Sequence, residues 1–275
     1  MLDLIQLRAV CKDPFHLLTS KDGTELFLRE WKATKMSTTA FLIFHGITAH
    51  SGLYGMIGKR LSEMGYSAYA LDLRGHGLSE GPRGDYVSKN KLSEDIEAAL
   101  DFIKSKHEKI VLIGHSLGVV TSAITINLFP ELVSGLIFLS AAREVREGAY
   151  AKRAFTTTIK ILFWSIFKPS KPVIHYYREG MRGKGDPQFN FYYTLRFLKT
   201  INPNNFVLPE KMTYPIFVGV GESDELFSIE STKAFFEEIP SETKEFAILP
   251  GAKHAHFEKN SFDPLFNWIK NTFNI

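Results

Sequence analysis

The chain has 275 residues, 44% hydrophobic and 23% charged, the balance of an ordinary globular protein able to bury a sizeable core. A formal charge of +3 is too small to indicate a nucleic-acid partner, and the sequence has neither zinc-finger spacing nor a phosphate-binding glycine loop. The single cysteine, Cys11, excludes an internal disulfide and fits a reducing compartment, so the expected location is cytoplasmic.

The opening residues, Met1-Leu2-Asp3-Leu4-Ile5, lack the basic segment and long apolar run of a signal peptide. No stretch of about 18 apolar residues predicts a transmembrane helix. Phe15–Ser20 and Thr24–Trp31 read as a β-hairpin with Asp22-Gly23 at its turn. From there strands and helices alternate. Thr39–Phe44 reads as a buried strand and Gly55–Met64 as a helix closed by Gly65. Tyr66–Leu73 is a second strand, Lys91–Lys106 an amphipathic helix, Lys109–Ile113 a third strand. A helix follows over Val119–Leu128, then a strand over Ser134–Ser140. Continuous apolar strands alternating with helices predict an α/β fold, a doubly wound and mostly parallel sheet covered on both faces.

The rhythm breaks near Arg143 and resumes near Tyr214. Between them lies an aromatic-rich stretch, expected to be a mostly helical insertion over 143–204 in a core made of 1–142 and 205–275. Pro215–Val220 and Glu245–Leu249 then read as strands, Ser228–Ile239 and Phe262–Phe273 as helices.

Gly114-His115-Ser116-Leu117-Gly118 lies between a strand and a helix. There the glycines permit a tight, strained turn that exposes the serine hydroxyl, and the helix points its first amides at the reacting centre. A serine nucleophile needs a base, and the base an orienting acid. Both belong on loops at the carboxyl ends of later strands. The last strand leads into Gly251-Ala252-Lys253-His254-Ala255-His256, the one before it into Gly221-Glu222-Ser223-Asp224-Glu225. His254, at the strand's end, is favoured over His256. Asp224 is favoured over Glu222 and Glu225, because a short acid at the loop tip suits a close bond to imidazole. An oxyanion hole needs two backbone amides: Leu117 N–H directly after the serine, and Ile47 N–H in the loop His45-Gly46-Ile47-Thr48. His45 and His115 fit packing and hydrogen-bonding roles better than that of a base. Asp72 and Arg74 fit supports of the glycine-rich turn through His76.

The motifs Phe44-His45-Gly46, Asp72 to Gly81, Gly114 to Gly118, Gly221 to Asp224 and Gly251 to His254 resemble those of α/β-hydrolases, most closely the monoacylglycerol lipase and lysophospholipase branch. His45-Gly46-Ile47-Thr48-Ala49-His50-Ser51-Gly52-Leu53-Tyr54 is similar to that branch's His-Gly-x-x-x-His-Ser-x-x-Tyr segment. The resemblance implies a Ser116, Asp224, His254 triad, oxyanion amides at Ile47 and Leu117, no metal or cofactor, and an insertion that caps the site. Residues 143–200 carry twelve Lys and Arg against four Asp and Glu, a net of +8, while the whole chain is +3. Within them Ile159–Phe167 is apolar but too short to span a bilayer. The expectation is hydrolysis of a small lipid ester, with Phe163, Trp164 and Phe167 in the substrate pocket. A basic rim giving transient peripheral contact with a membrane is expected beside it. A broad short-chain carboxylesterase and an inactive binding protein are the rival readings.

Overall fold

A strand buried on both faces must be apolar at every position, and the sheet of this protein is built from such strands. The computed structural model describes residues 3–35, 37–149, 155–177, 181–202 and 206–273. A short helix α1 (Leu4–Ala9) precedes the hairpin of β1 (Phe15–Thr19) and β2 (Glu25–Trp31). Then come β3 (Thr39–Phe44), α2 (Gly55–Glu63), β4 (Ser67–Leu71), α3 (Lys89–Lys104), β5 (Lys109–His115), α4 (Leu117–Leu128) and β6 (Val133–Leu139). The next stretch holds α5 (Phe155–Phe167), β7 (Ile174–His175), β8 (Tyr192–Tyr193) and α6 (Leu195–Thr200). The chain closes with β9 (Ile216–Gly221), α7 (Ile229–Glu238), β10 (Lys244–Leu249) and α8 (Asp263–Thr272).

Eight strands form one sheet in the order β1-β2-β4-β3-β5-β6-β9-β10. From β4 to β10 all neighbours are parallel, while β2 runs antiparallel to β4 and to β1. All six residues of β3 are buried, and they alternate between two clusters. Ala40, Leu42 and Phe44 pack with α3, α4 and α7 on one face. Phe41 and Ile43 pack with α2 and α8 on the other. A register slip of one residue would exchange the two sets, so the pattern pins the pairing.

The predicted elements all form within a few residues of their expected ends. Two features are additional. Helix α1 buries no side chain, so it left no apolar period to read; Asp3 caps it by accepting the Gln6 amide. The stretch between β6 and β9, expected to be mostly helical, also contains the two-stranded antiparallel ribbon β7–β8. Its Tyr193, Phe197 and Ile201 join the core cluster under α4, so this stretch packs onto the sheet layer rather than standing apart. The expected boundary at 204/205 lies outside the described residues. No helix among the described residues is long and apolar enough to cross a membrane.

Candidate active site

Two glycines let the turn at Ser116 form. A Cβ at Gly118 would lie 2.0 Å from the Phe44 carbonyl oxygen, and one at Gly114 would lie 2.5 Å from the Gly118 oxygen. Only hydrogen at both positions lets the first turn of α4 press against the ends of β3 and β5. Ser116, between them, has φ +54° and ψ −117°, a conformation costing on the order of 1–3 kcal/mol for a residue with a side chain. The Ser116 amide donates to Leu139 O at 3.0 Å and its carbonyl accepts from Val119 at 3.0 Å, which holds the strained turn in place.

Ser116 Oγ lies 3.0 Å from His254 Nε2, and His254 Nδ1 lies 3.1 Å from Asp224 Oδ2. Asp224 is 1% exposed. Its Oδ1 accepts the Leu226 and Phe227 amides at 2.8 and 3.0 Å, and Oδ2 also accepts the Ser140 hydroxyl at 2.7 Å. Burial pushes the carboxyl up, but the hydrogen bond and charge of His254, with the Phe227 amide and Ser140, outweigh it and bring the pKa down to about 2. Asp224 is therefore ionised at any ordinary pH. Its competitors have other duties. Glu222 accepts the Gly251 amide at 2.9 Å, and Glu225 accepts the His254 amide at 3.0 Å. His256 is exposed, and its carbonyl accepts the Lys253 amide. Of the five, His254 bonds Ser116 directly and Asp224 is joined to it through His254.

Across from the serine, a Cβ on Gly46 would meet Ser116 Cβ at 3.4 Å, so the loop after β3 lies directly against the Ser116 turn. The Gly46 amide donates to Tyr54 Oη at 3.1 Å, and that hydroxyl donates in turn to His115 Nδ1 at 2.9 Å. His115 Nε2–H then donates to the His254 carbonyl at 2.9 Å. Burial depresses His115 to about 3, so it stays neutral and links the Gly46 loop to the His254 loop without changing charge. His45 is likewise held neutral by burial; its Nε2 accepts the Leu73 amide at 3.1 Å. Asp72 accepts the Ser51 and Leu78 amides, and Arg74 pairs with Asp95 and Asp22. Among the described residues, the amides of Ile47 and Leu117 donate to no other group. Both are open donors beside Ser116, Leu117 next to it in the chain and Ile47 in the walls of the same cavities.

Two cavities meet at Ser116. One, of about 360 Å³, has a mixed lining, with Arg182, Glu225, Lys253 and His256 beside Leu53, Met181, Phe189, Leu226 and Phe257. The other, of about 370 Å³, is mainly apolar, with Val119, Val120, Ala141, Leu195, Leu198 and Phe227 in its wall. Ile47 and Tyr176 border both. Phe163, Trp164 and Phe167, expected in the pocket, line neither. Helix α5 buries only Ile161, and its aromatic side faces away from the sheet, leaving Phe163 half exposed and Phe167 70% exposed. Trp164 is half-buried beneath the Lys171 ammonium, 3.3 Å from its ring centre. Sequence reading missed Ser140, which also has a positive φ of +54°. A serine at a strand's end carries no signal until Asp224 is seen beside it. It also missed the duty of Tyr54, although the motif containing it was visible. Among the described residues no group of three or more His, Cys, Asp or Glu could hold a metal ion.

Known proteins share this architecture. Residues 36–260 match the family described as Serine aminopeptidase, S33. The chain is 26% identical over 251 residues to the uncharacterized protein YnbC of Escherichia coli, covering 87% of this chain but 43% of that protein. It is 23% identical over 255 residues to human monoglyceride lipase, covering 86% and 82% of the two chains. A soluble variant of Saccharomyces cerevisiae monoglyceride lipase, solved with a substrate analogue, superposes with a TM-score of 0.70 at 18% identity, over 96% of this chain and 97% of that one. At that identity the likeness is one of fold.

Proposed function

The chain belongs to the serine aminopeptidase S33 family of α/β-hydrolases and is a hydrolase of the esterase and lipase type, and from that premise we propose that it cleaves carboxylic esters of single-chain lipids through an acyl-enzyme on Ser116. The observation that carries the reading is the position of Ser116 Oγ, bonded to His254 and set at the junction of an apolar cavity and one that also carries charged side chains. The acyl chain occupies the apolar cavity and the alcohol the mixed one, with residues of the 143–204 stretch serving as the cap over both.

Ser116 Oγ attacks the ester carbonyl while His254 Nε2 takes its proton. Asp224, ionised and bonded to Nδ1, keeps the imidazole in the accepting tautomer and stabilises the imidazolium that forms. The carbonyl oxygen becomes an oxyanion held by Ile47 N–H and Leu117 N–H. Its collapse expels the alcohol, which leaves with the proton from His254. Water then gives its proton to His254 and attacks the acyl-enzyme, and the fatty acid departs as Ser116 recovers its proton.

Ser116→Ala is expected to lower ester turnover on the order of 10⁵–10⁶-fold with the fold intact by circular dichroism. Retained turnover would sink the assignment. A series of monoacylglycerols and p-nitrophenyl esters tests the substrate: kcat/KM should rise beyond butyryl, whereas a maximum at acetyl or butyryl marks a short-chain carboxylesterase.

We also propose that α5 meets the surface of an anionic membrane. Phe155, Ile159, Leu162, Phe163 and Ile166 recur on one side of the helix, opposite the buried Ile161, and all are at least 49% exposed. Lys160 and Lys168 are exposed on the same helix and just beyond its end. This is the pattern of a helix lying in a lipid interface. Failure to sediment with anionic vesicles would remove this part of the reading.

A further inference from the structure

Oxyanion donors must be held still before the charge develops, and the Ile47 amide sits in a loop with a strained neighbour. Thr48 has φ +61°, a region that a β-branched residue rarely adopts. Something must hold it there. Among the described residues its own side chain makes no hydrogen bond, but its peptide groups are gripped from outside the loop. The Thr48 amide donates to Tyr193 Oη at 2.8 Å, and the Thr48 carbonyl accepts the Asn190 amide at 3.0 Å. Both partners lie more than 140 residues away in sequence, on the chain that returns from α5 through β8.

That returning chain is itself fixed to the core. Arg83 donates to the carbonyls of Gln188 and Phe189 at 2.8 and 3.2 Å, and to Gly77 O at 3.1 Å. Asp85 accepts Thr194 Oγ1 at 2.8 Å and pairs with Arg196, while the Thr194 amide donates to Gly84 O at 3.0 Å. Asp186 accepts from His50 at 3.3 Å at the loop's other end. Tyr193 is fully buried and its ring packs against His76 and Phe197. Its single hydroxyl proton has two acceptors, Asn190 O at 2.9 Å and His76 Nε2 at 3.2 Å, so a lone pair remains for Thr48 whichever it chooses.

We propose that Tyr193 is a positioning residue for the oxyanion hole: its hydroxyl holds Thr48 in the left-handed conformation, and Thr48 in turn aims the adjoining Ile47 amide at the Ser116 reaction centre. The proposal rests on the reading of Ile47 as an oxyanion donor. It makes the capping stretch part of the catalytic geometry rather than only a wall. Without the hydroxyl, Thr48 relaxes toward negative φ and carries the Ile47 amide out of line. The substrate cavities keep their walls, so ground-state binding changes little while the tetrahedral oxygen loses a partner.

Tyr193→Phe keeps the ring and removes only the acceptor. Deleting an oxyanion donor outright costs about 10²–10³-fold; a misaimed one is expected to lower kcat about 10-fold, with KM within twofold of the parent. The inhibition constant of a trifluoromethyl ketone, which forms the tetrahedral adduct, should rise by the same factor as kcat/KM falls. Thr48→Gly supplies the second variant. Glycine adopts φ +61° freely, so Thr48→Gly combined with Tyr193→Phe should regain most of the lost kcat. Tyr86→Phe removes another buried hydroxyl, bonded to Asp95 and not to the Thr48 loop, and should lower stability without changing kcat. A Tyr193→Phe enzyme with parental kcat, or one that Thr48→Gly does not rescue, overturns the proposal while leaving the triad untouched. Full activity in Ser116→Ala would instead overturn the reading on which it rests.

Discussion

Helices α4 and α5 are both rich in apolar residues, yet α4 buries nine of its twelve residues and α5 one of its thirteen. Apolarity alone therefore did not decide their fates. Helix α4 enters on Gly118, whose missing side chain lets it approach the Phe44 and His45 backbone, and it continues with Val119, Val120 and Ala123 against the sheet. Helix α5 has Thr156, Thr157, Thr158 and Lys160 in its first turns and no glycine to bring it close to a strand. Its Ile161 reaches the core cluster, while the broader apolar stripe turns outward. The comparison teaches that a small residue facing the sheet, rather than hydrophobic content, marks the helix on which chemistry is built.

The buried side of this comparison can be tested hardest at the charge joined through His254 to Ser116, the residue that opens α4. Asp224→Asn is expected to lower kcat about 10⁴-fold near neutral pH, because the amide no longer selects the accepting tautomer of His254. Stability should respond as well. The Asp224 carboxyl titrates near 2 in the folded protein, below the usual value of 3.8. A depressed pKa stabilises the fold above the unfolded value, and that contribution disappears as pH falls through the folded one. About two units correspond to roughly 2–3 kcal/mol lost between about pH 4 and pH 2. Urea midpoints measured across that window should fall more steeply for the parent than for Asp224→Asn. Parallel curves would mean that Asp224 carries no such linkage.

Gly118→Ala comes next in size and addresses the comparison itself. Its Cβ would lie 2.0 Å from a backbone oxygen, so α4 and β3 must separate. Such overpacking costs about 1–3 kcal/mol, occasionally more. A shift of about 1 Å at the nucleophile costs on the order of 10²-fold in kcat. Denaturant unfolding and ester turnover on the same preparation check both. A variant with parental stability and turnover would show that close approach is not what distinguishes α4.

The parts that could be read beforehand were those with short-range signatures. Thr39–Phe44 and Lys109–Ile113 are continuous apolar runs bounded by turns, and Ser116, Asp224 and His254 follow strand ends in chain order. Other features depend on residues distant in sequence. Ser140 acquires a duty only because β9 lies beside β6 and delivers Asp224 to it. Tyr193 read as one aromatic among many; its contact with Thr48 needs the return of the chain through β8. The aromatic run Phe163, Trp164 and Phe167 was visible, but its direction was not, since a helical stripe can face a cavity or the solvent with the same spacing.

That direction sets the smallest expected effect. Ile159→Ser and Ile166→Ser replace side chains that are 50% and 74% exposed, so together they should change stability by less than about 0.5 kcal/mol each. Turnover of a dissolved short p-nitrophenyl ester should stay within twofold, because neither residue borders a cavity at Ser116. Sedimentation with anionic vesicles should fall at least tenfold, since each substitution removes apolar surface worth roughly half of the 1.5–3 kcal/mol of full burial when the helix lies in a lipid interface. A large loss of thermal stability would mean that this face is covered in solution by another copy of the chain, and α5 would then resemble α4 after all.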